Sequence, residues 1–410
     1  MSLKHLFTYR YVKRFYLARF ISNFGNGISP VALAFGILHL RNGSAGLLGL
    51  VLTVGTVGLL VMVPFGGVIA DKFGRMRMAA LVDTWGGLVL IVQAIWFMTG
   101  HVPLLVLILC NLNFGLMWGI FWPAMAGILP SMVNEEDLQT ANATNQLFSN
   151  IAYVIGAACA GFLVTIFGSG VALLIDAITF IISGLTVYSI RCLDSGKNEE
   201  SESLVADLKH GWKTFLSYRW IVVVVAGFSF IVMAWAAGES VLGPLIALKY
   251  FNGAKSWAFV MTCSSVGLIA GSLIALKIKL KYPMRTLMAM TLFLTVYMWS
   301  LAKPQSLIFI GICSFFWGMT LDMWGSIWST ALQRSVPRQA LSRVSSFDAL
   351  GSLIFRPVGL AIAAPLSTLL GLRHTMEYIA IFVAICVVAV LADPQVRNMT
   401  MPNMPAANGE

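Results

Sequence analysis

The chain is 410 residues long, 58% hydrophobic and 11% charged, against roughly 45–50% and about 25% in soluble globular proteins. That balance excludes a water-soluble enzyme or nucleic-acid-binding domain and leaves a polytopic membrane protein. The formal net charge is +10, but the bases are spread over many short segments and form no stripe, so no nucleic-acid partner is expected.

Crossing a hydrocarbon core of about 30 Å takes roughly 20 helical residues. Twelve stretches qualify: roughly 15–38, 45–69, 78–99, 103–127, 145–167, 170–192, 220–248, 256–279, 284–302, 306–332, 344–370 and 374–392. Each must satisfy its own backbone hydrogen bonds, which predicts helices, and none alternates as a lipid-facing barrel strand would. The expected fold class is an all-α membrane protein with twelve transmembrane helices in two pseudo-symmetric six-helix bundles. The first span lacks a small-residue cleavage site and reads as an anchor.

With the N-terminus inside, 21 of the 27 Lys and Arg residues fall on the cytoplasmic side, as the positive-inside rule expects. Arg41, Lys249, Lys255, Lys303 and Arg373 stay outside, and Arg356 lies mid-membrane. The expected location is therefore the cell membrane, multi-pass, with both termini cytoplasmic. Five cysteines (Cys110, Cys159, Cys263, Cys313, Cys386) fall inside spans and Cys192 at a span end, while the five histidines lie near span ends or in loops. Neither a disulfide framework nor a metal or cofactor is expected.

Between spans two and three runs Gly67-Val68-Ile69-Ala70-Asp71-Lys72-Phe73-Gly74-Arg75-Met76-Arg77. The order of glycine, acid, base, glycine and arginine resembles the signature of major facilitator superfamily transporters. The resemblance implies the major facilitator fold, and it implies that Gly67, Asp71, Lys72, Gly74 and Arg75 form a gating cluster that holds the halves together on the inner side when the transporter opens outward. A positive topology signal is the plainer alternative. The second-half counterpart, Lys277 to Arg285, keeps bases but has lost the acid and the glycine.

Residues 1–193 read as the first bundle, 194–219 as a cytoplasmic linker, 220–393 as the second bundle and 394–410 as a disordered cytoplasmic tail. In the linker, Leu204, Leu208, Trp212 and Phe215 recur at helical spacing among bases. That pattern fits an amphipathic helix on the inner membrane surface, or an ordinary polar loop. The halves repeat: adding 203 carries Gly115, Gly156 and Gly168 onto Gly318, Gly359 and Gly371, and adding 209 carries Thr53, Val57 and Gly58 onto Thr262, Val266 and Gly267. Parallel repeats of this kind place substrate near the midplane, where the halves meet.

The stretch Leu138-Gln139-Thr140-Ala141-Asn142 through Gly156, Gly161 and Gly168 to Asp176-Ala177, with its echo Leu332-Gln333-Arg334, resembles the macrolide-efflux and enterobactin-exporter branch of drug exporters. Two departures are present. Gly156-Ala157 stands where related antiporters carry Gly-Pro, and span four offers Asn111 and Asn113 in place of an arginine.

Charges inside a membrane default to functional candidates because they are expensive there, at least about 2.5–3.5 kcal/mol each. Arg356 falls near the centre of span eleven, with Asp322 in span ten about 4.5 Å to the cytoplasmic side of its centre. Asp322 and Arg356 are therefore the expected proton-coupling pair, with a permanent structural ion pair as the alternative and Glu239 of span seven as second candidate. Asp176 reads as a structural partner at a helix end, while Arg19 and Asp83 could reach the interface. By the resemblance, spans one, four, seven and ten line the cavity. Asn23, Asn26, Asn113, Trp118, Trp122, Met125, Trp324 and Trp328 are then cavity candidates, an adaptable apolar wall with a few amides, unless the aromatics face lipid or pack internally.

These features point to a monomeric secondary exporter of an amphipathic small molecule, antibiotic-like, with a macrolide among the candidates, working by alternating access with a proton or other coupling ion. Export of an endogenous siderophore or lipid, nutrient uptake, and a non-transporting membrane sensor are the alternatives. Nucleotide, zinc-protease and nucleophile-turn motifs are missing, so no enzyme is expected.

Overall fold

A computed structural model describes residues 3–190, 212–275, 277–278, 280–336 and 338–400. The predicted residues 194–211 of the linker, Lys279, and the tail from 401 onward lie outside the described residues. Every regular element among the described residues is helical.

Eleven described helices are long and apolar enough to cross a membrane. One of them, Glu135–Tyr188, is two spans joined at Gly168, whose φ of 82° and ψ of 164° break the helix. This conformation is open almost only to glycine. The break falls between the predicted fifth and sixth spans, so twelve crossings result. Gly371 makes the same turn between spans eleven and twelve, with φ 84° and ψ 148°.

The other repeated glycines also do equivalent work. A Cβ on Gly156 would strike the Phe24 carbonyl of span one, and a Cβ on Gly359 the Met233 carbonyl of span seven, 209 residues on from Phe24. Likewise Gly115 lies against Gly55, and Gly318 against Ser264. Small residues let membrane helices approach closely, where dispersion and not hydrophobicity drives association. The repeat therefore marks the same helix crossings in both bundles.

Two spans depart from the continuous helices expected. Span seven carries a π-helical segment, Ala236–Leu242, followed by Gly243–Tyr250 with Pro244 in its first turn. Span eleven is split into Arg338–Leu353 and Arg356–Leu370. Pro357 lacks an N–H, and its ring excludes the carbonyl four residues earlier, which ends the first segment at Leu353. The expected tail also starts with structure: Pro394–Arg397 is a short helix whose first turn Asp393 caps through the Gln395 N–H.

The buried core shows how the bundles meet. On the face opposite the termini, a single core runs through both halves, from Val31, Leu48 and Val164 to Val241, Trp257 and Leu360. Here Gly161 of span five rests on Ala254–Ala258 of span eight, and Gly49 of span two on Leu360 of span eleven. Toward the terminal face the core divides. One cluster, with Phe15, Met76 and Ile128, belongs to the first bundle, and two others belong to the second. The bundles are thus joined on the far face and parted on the terminal face. The described end of the linker, 212–217, is helical, and its Trp212 and Phe215 pack on Phe347 of span eleven.

Candidate functional site

Both helix interruptions place a charge. Glu239 sits within the π segment of span seven, a rare local geometry that recurs at functional sites. Arg356 is the first residue after the break in span eleven, between Val344 of the terminal-face core and Leu360 of the far-face core. The two charges face one another as an electrostatic pair without a direct ion pair among the described residues. Around Glu239 stand Trp235 on its own helix, Tyr297 of span nine and, from the first bundle, Tyr153 of span five.

The cluster is polar but incompletely satisfied. Glu239 Oε2, Trp235 Nε1, Tyr297 OH and Trp317 Nε1 are buried without a hydrogen bond of good geometry, although Trp235 and Tyr297 stand as donors beside the carboxylate. Trp235 and Trp317 meet edge to face at 5.5 Å. Each unpaired buried polar atom costs about 1–3 kcal/mol, so a ligand or proton that supplied partners would gain that much. At the same height the Pro357 carbonyl lies 3.3 Å from Thr53 Oγ1 of span two, which brings the bundles together.

The expected pairing of Asp322 with Arg356 is corrected by this geometry. Asp322 lies beside Ser272 at the crossing of spans eight and ten, where it packs on Gly271, while Arg356 faces Glu239. Counting residues from span ends does not give the direction a side chain takes around its helix.

Several cavity candidates also point elsewhere. Asn113 accepts a hydrogen bond from Trp85 Nε1 at 3.0 Å, beside the half-exposed Trp85 indole of span three. Trp118 packs on Phe114, Phe121 and Trp122, and Trp122 is 65% exposed. Trp324 is buried, donating to Thr291 at 2.9 Å and stacking near Phe228. Met125 lies on the first bundle's terminal-face core. Asn23 donates to the Arg19 carbonyl and to Ser149, and Asn26 is half-buried. Trp328 donates to Asp348 at 2.8 Å and meets Trp220.

Sequence reading missed Tyr153, Trp235, Tyr297 and Asp348. A usable signal was present in Pro244 and Pro357, which flag disturbed helices next to Glu239 and Arg356.

Arg19, Asp83 and Asp176 do not reach an interface: they are 8%, 1% and 0% exposed. The gating cluster lies at the terminal face. Gly74 turns between spans two and three with φ 93°, and Arg75 bonds Asp71 at 2.7 Å, both about 40% exposed. Gly127 of span four has no side chain, so the Arg75 guanidinium lies against it. A groove of about 840 Å³ between spans nine and twelve is lined by apolar residues such as Val296, Trp299 and Ile385 on the outer wall, away from these charges.

The chain belongs to the Major Facilitator Superfamily, whose profile matches residues 15–356. It is similar to "Macrolide efflux protein A" of Streptococcus pyogenes, 23% identical over 370 residues, covering 86% of this chain and 88% of that protein. It is also similar to "Multidrug efflux pump Tap" of Mycolicibacterium fortuitum, 26% identical over 410 residues, covering 93% and 95%. Among solved structures, nucleoside transporter NupG aligns with a TM-score of 0.73 at 13% identity, over 93% of this chain and 98% of that one. A D-xylose-proton symporter aligns at 0.69 and 15% identity, over 95% and 100%. These likenesses establish the fold.

Proposed function

We propose that the protein is a secondary active exporter of an amphipathic small molecule, moving it across the cell membrane by alternating access in exchange for protons. The observation that carries this reading is a core joined across both bundles on one face and divided on the other, with Glu239 inside the joined part and Arg356 at its edge toward the divided face. A carboxylate opposed to a cation at such a point can exchange its partner for a proton or a substrate as the bundles rock. Aromatic neighbours, Trp235, Trp317, Tyr153 and Tyr297, suit a bulky amphipathic solute better than a sugar. The efflux names of the relatives support the export direction.

With the basic terminal face taken as cytoplasmic, the structure corresponds to an inward-open state that admits substrate from the cytoplasm or inner leaflet. Glu239→Gln tests the reading in reconstituted vesicles loaded with a macrolide or a cationic dye. Export driven by a proton gradient is expected to fall at least about tenfold, the effect of 1.4 kcal/mol, while counterflow of labelled substrate persists. Unimpaired proton-driven export by the variant would remove Glu239 from the mechanism, and absence of counterflow by the wild type would remove transport of these compounds.

A further inference from the structure

A second set of membrane charges lies wholly inside the first bundle, away from Glu239. Span six (169–188) presents Asp176, Thr179 and Ser183 on one face. Opposite them, span one presents Arg19, Ser22, Gly25 and Ser29, and span three presents Asp83. Six of these form a continuous dry column: Asp176 and Ser183 are 0% exposed, Asp83 and Ser22 1%, Thr179 7% and Arg19 8%. Seven residues separate Asp176 from Ser183, about 10.5 Å along the helix.

The charges in the column do not balance. Arg19 supplies one positive charge, and Asp83 and Asp176 supply two carboxyls. Arg19 is the electrostatic partner of Asp83, and its guanidinium lies 5.0 Å over the Phe121 ring. Asp83 also receives the Ser183 hydroxyl at 2.7 Å. Its Oδ1 forms no hydrogen bond, but a cation answers the carboxyl. Asp176 has no such cation: its Oδ2 is also without a partner, and the groups facing it are Thr179, Ser29, the Gly25 backbone and the like charge of Asp83. The Thr179 hydroxyl donates to the Asp176 carbonyl at 2.7 Å and reaches Oδ1 only at 3.4 Å, and Ser29 is the other hydroxyl beside the carboxyl. Neutral hydroxyls face it, and no cation does among the described residues.

With Arg19 answering Asp83, a second buried anion at Asp176 would be uncompensated, and a buried carboxylate in that position takes a proton instead.

We propose that this column is a proton-binding site of the transporter, with the proton held on Asp176 and its charge balance set by the Arg19–Asp83 pair. Binding adds one hydrogen to one carboxylate oxygen, and release returns it to water. No other group changes. The proton's use in transport rests on the exchange mechanism proposed above, whereas its presence does not.

Infrared difference spectra of the full-length protein in lipid nanodiscs, in H₂O and D₂O at neutral pH and without substrate, test the site. The wild type is expected to show a buried carboxylic acid C=O band whose intensity falls in Asp176→Asn. The band is expected to persist in Asp83→Asn, which leaves Asp176 in place. A wild-type spectrum without the band overturns the proposal, as does a band unchanged in Asp176→Asn or lost in Asp83→Asn. If the band behaves as expected while the wild type shows no proton-driven export, the site stands and the exchange mechanism falls.

Discussion

Gly161→Ala probes the far-face closure. The glycine lies in span five against span eight, and an added Cβ would sit 2.8 Å from both the Ala258 Cβ and the Lys255 Cα and 2.9 Å from the Ala254 carbonyl oxygen. Two of these are backbone atoms of a helix, so no side-chain rotation relieves the contact. Overpacking of this kind costs about 1–3 kcal/mol. At an interface between bundles that move as bodies, parting the bundles removes the strain without unfolding either. The closed far face should therefore lose population by a factor of about 5–150 relative to the open one.

Hydrogen–deuterium exchange reads that shift. Protection should fall at the far-face helix ends, 39–44 and 250–253, and rise at the terminal face around 128–134 and 336, with the melting temperature little changed. Gly156→Ala is the control, because Gly156 meets Phe24 and Gly27 within the first bundle. There the strain has no conformational outlet, and the expected result is lost thermal stability without opposite changes at the two faces. If Gly161→Ala lowers the melting temperature as Gly156→Ala does and leaves both faces equally protected, the far-face contact is not a moving interface.

Three further outcomes follow from named contacts. Gly168→Ala and Gly371→Ala force a side chain into the same positive-φ turn, and each should cost about 1–3 kcal/mol by chemical denaturation, with the two values alike because the turns are repeats. Asp71→Asn removes an exposed i,i+4 ion pair worth about 0.3–0.5 kcal/mol, so stability should hold while transport falls. Transport at wild-type rates would reduce the cluster to a topology signal. Desolvation alone would raise the Asp393 carboxyl, but the Gln395 N–H and the Arg219 guanidinium outweigh it and hold the group below the usual carboxylate range. Its contribution is present above the ordinary aspartate pKa of about 3.9 and is lost as pH falls through the lower folded value. The melting-temperature deficit of Arg219→Ala should be full at pH 7 and vanish in strong acid, and a pH-independent deficit would refute this.

The site was less legible than the fold, and the membrane itself is the reason. In water, a helix shows its buried face by alternating apolar and polar residues. In lipid, both faces are apolar, and association depends on shape. Span ten therefore carried no sign of its rotation, and Asp322 could be placed in depth but not in direction. The tryptophans misled in the same way: Trp324 and Trp118 pack inside their bundles, yet their residue type suits a cavity wall equally well. Arg19, Asp83 and Asp176 looked separate because they lie on three spans far apart in sequence, and only bundle packing stacks them.

Sequence alone determined the number of crossings, the family signature and the repeat, since span length follows bilayer thickness and the repeated glycines mark crossings where a Cβ cannot fit. Tertiary structure decided what those features could not encode: that Glu239 answers Arg356, that one arginine is left to serve two buried carboxyls, and that the bundles are joined on one face only. Each depends on which way helices turn toward one another, which is set by close contact between backbones and leaves no periodic trace along the chain.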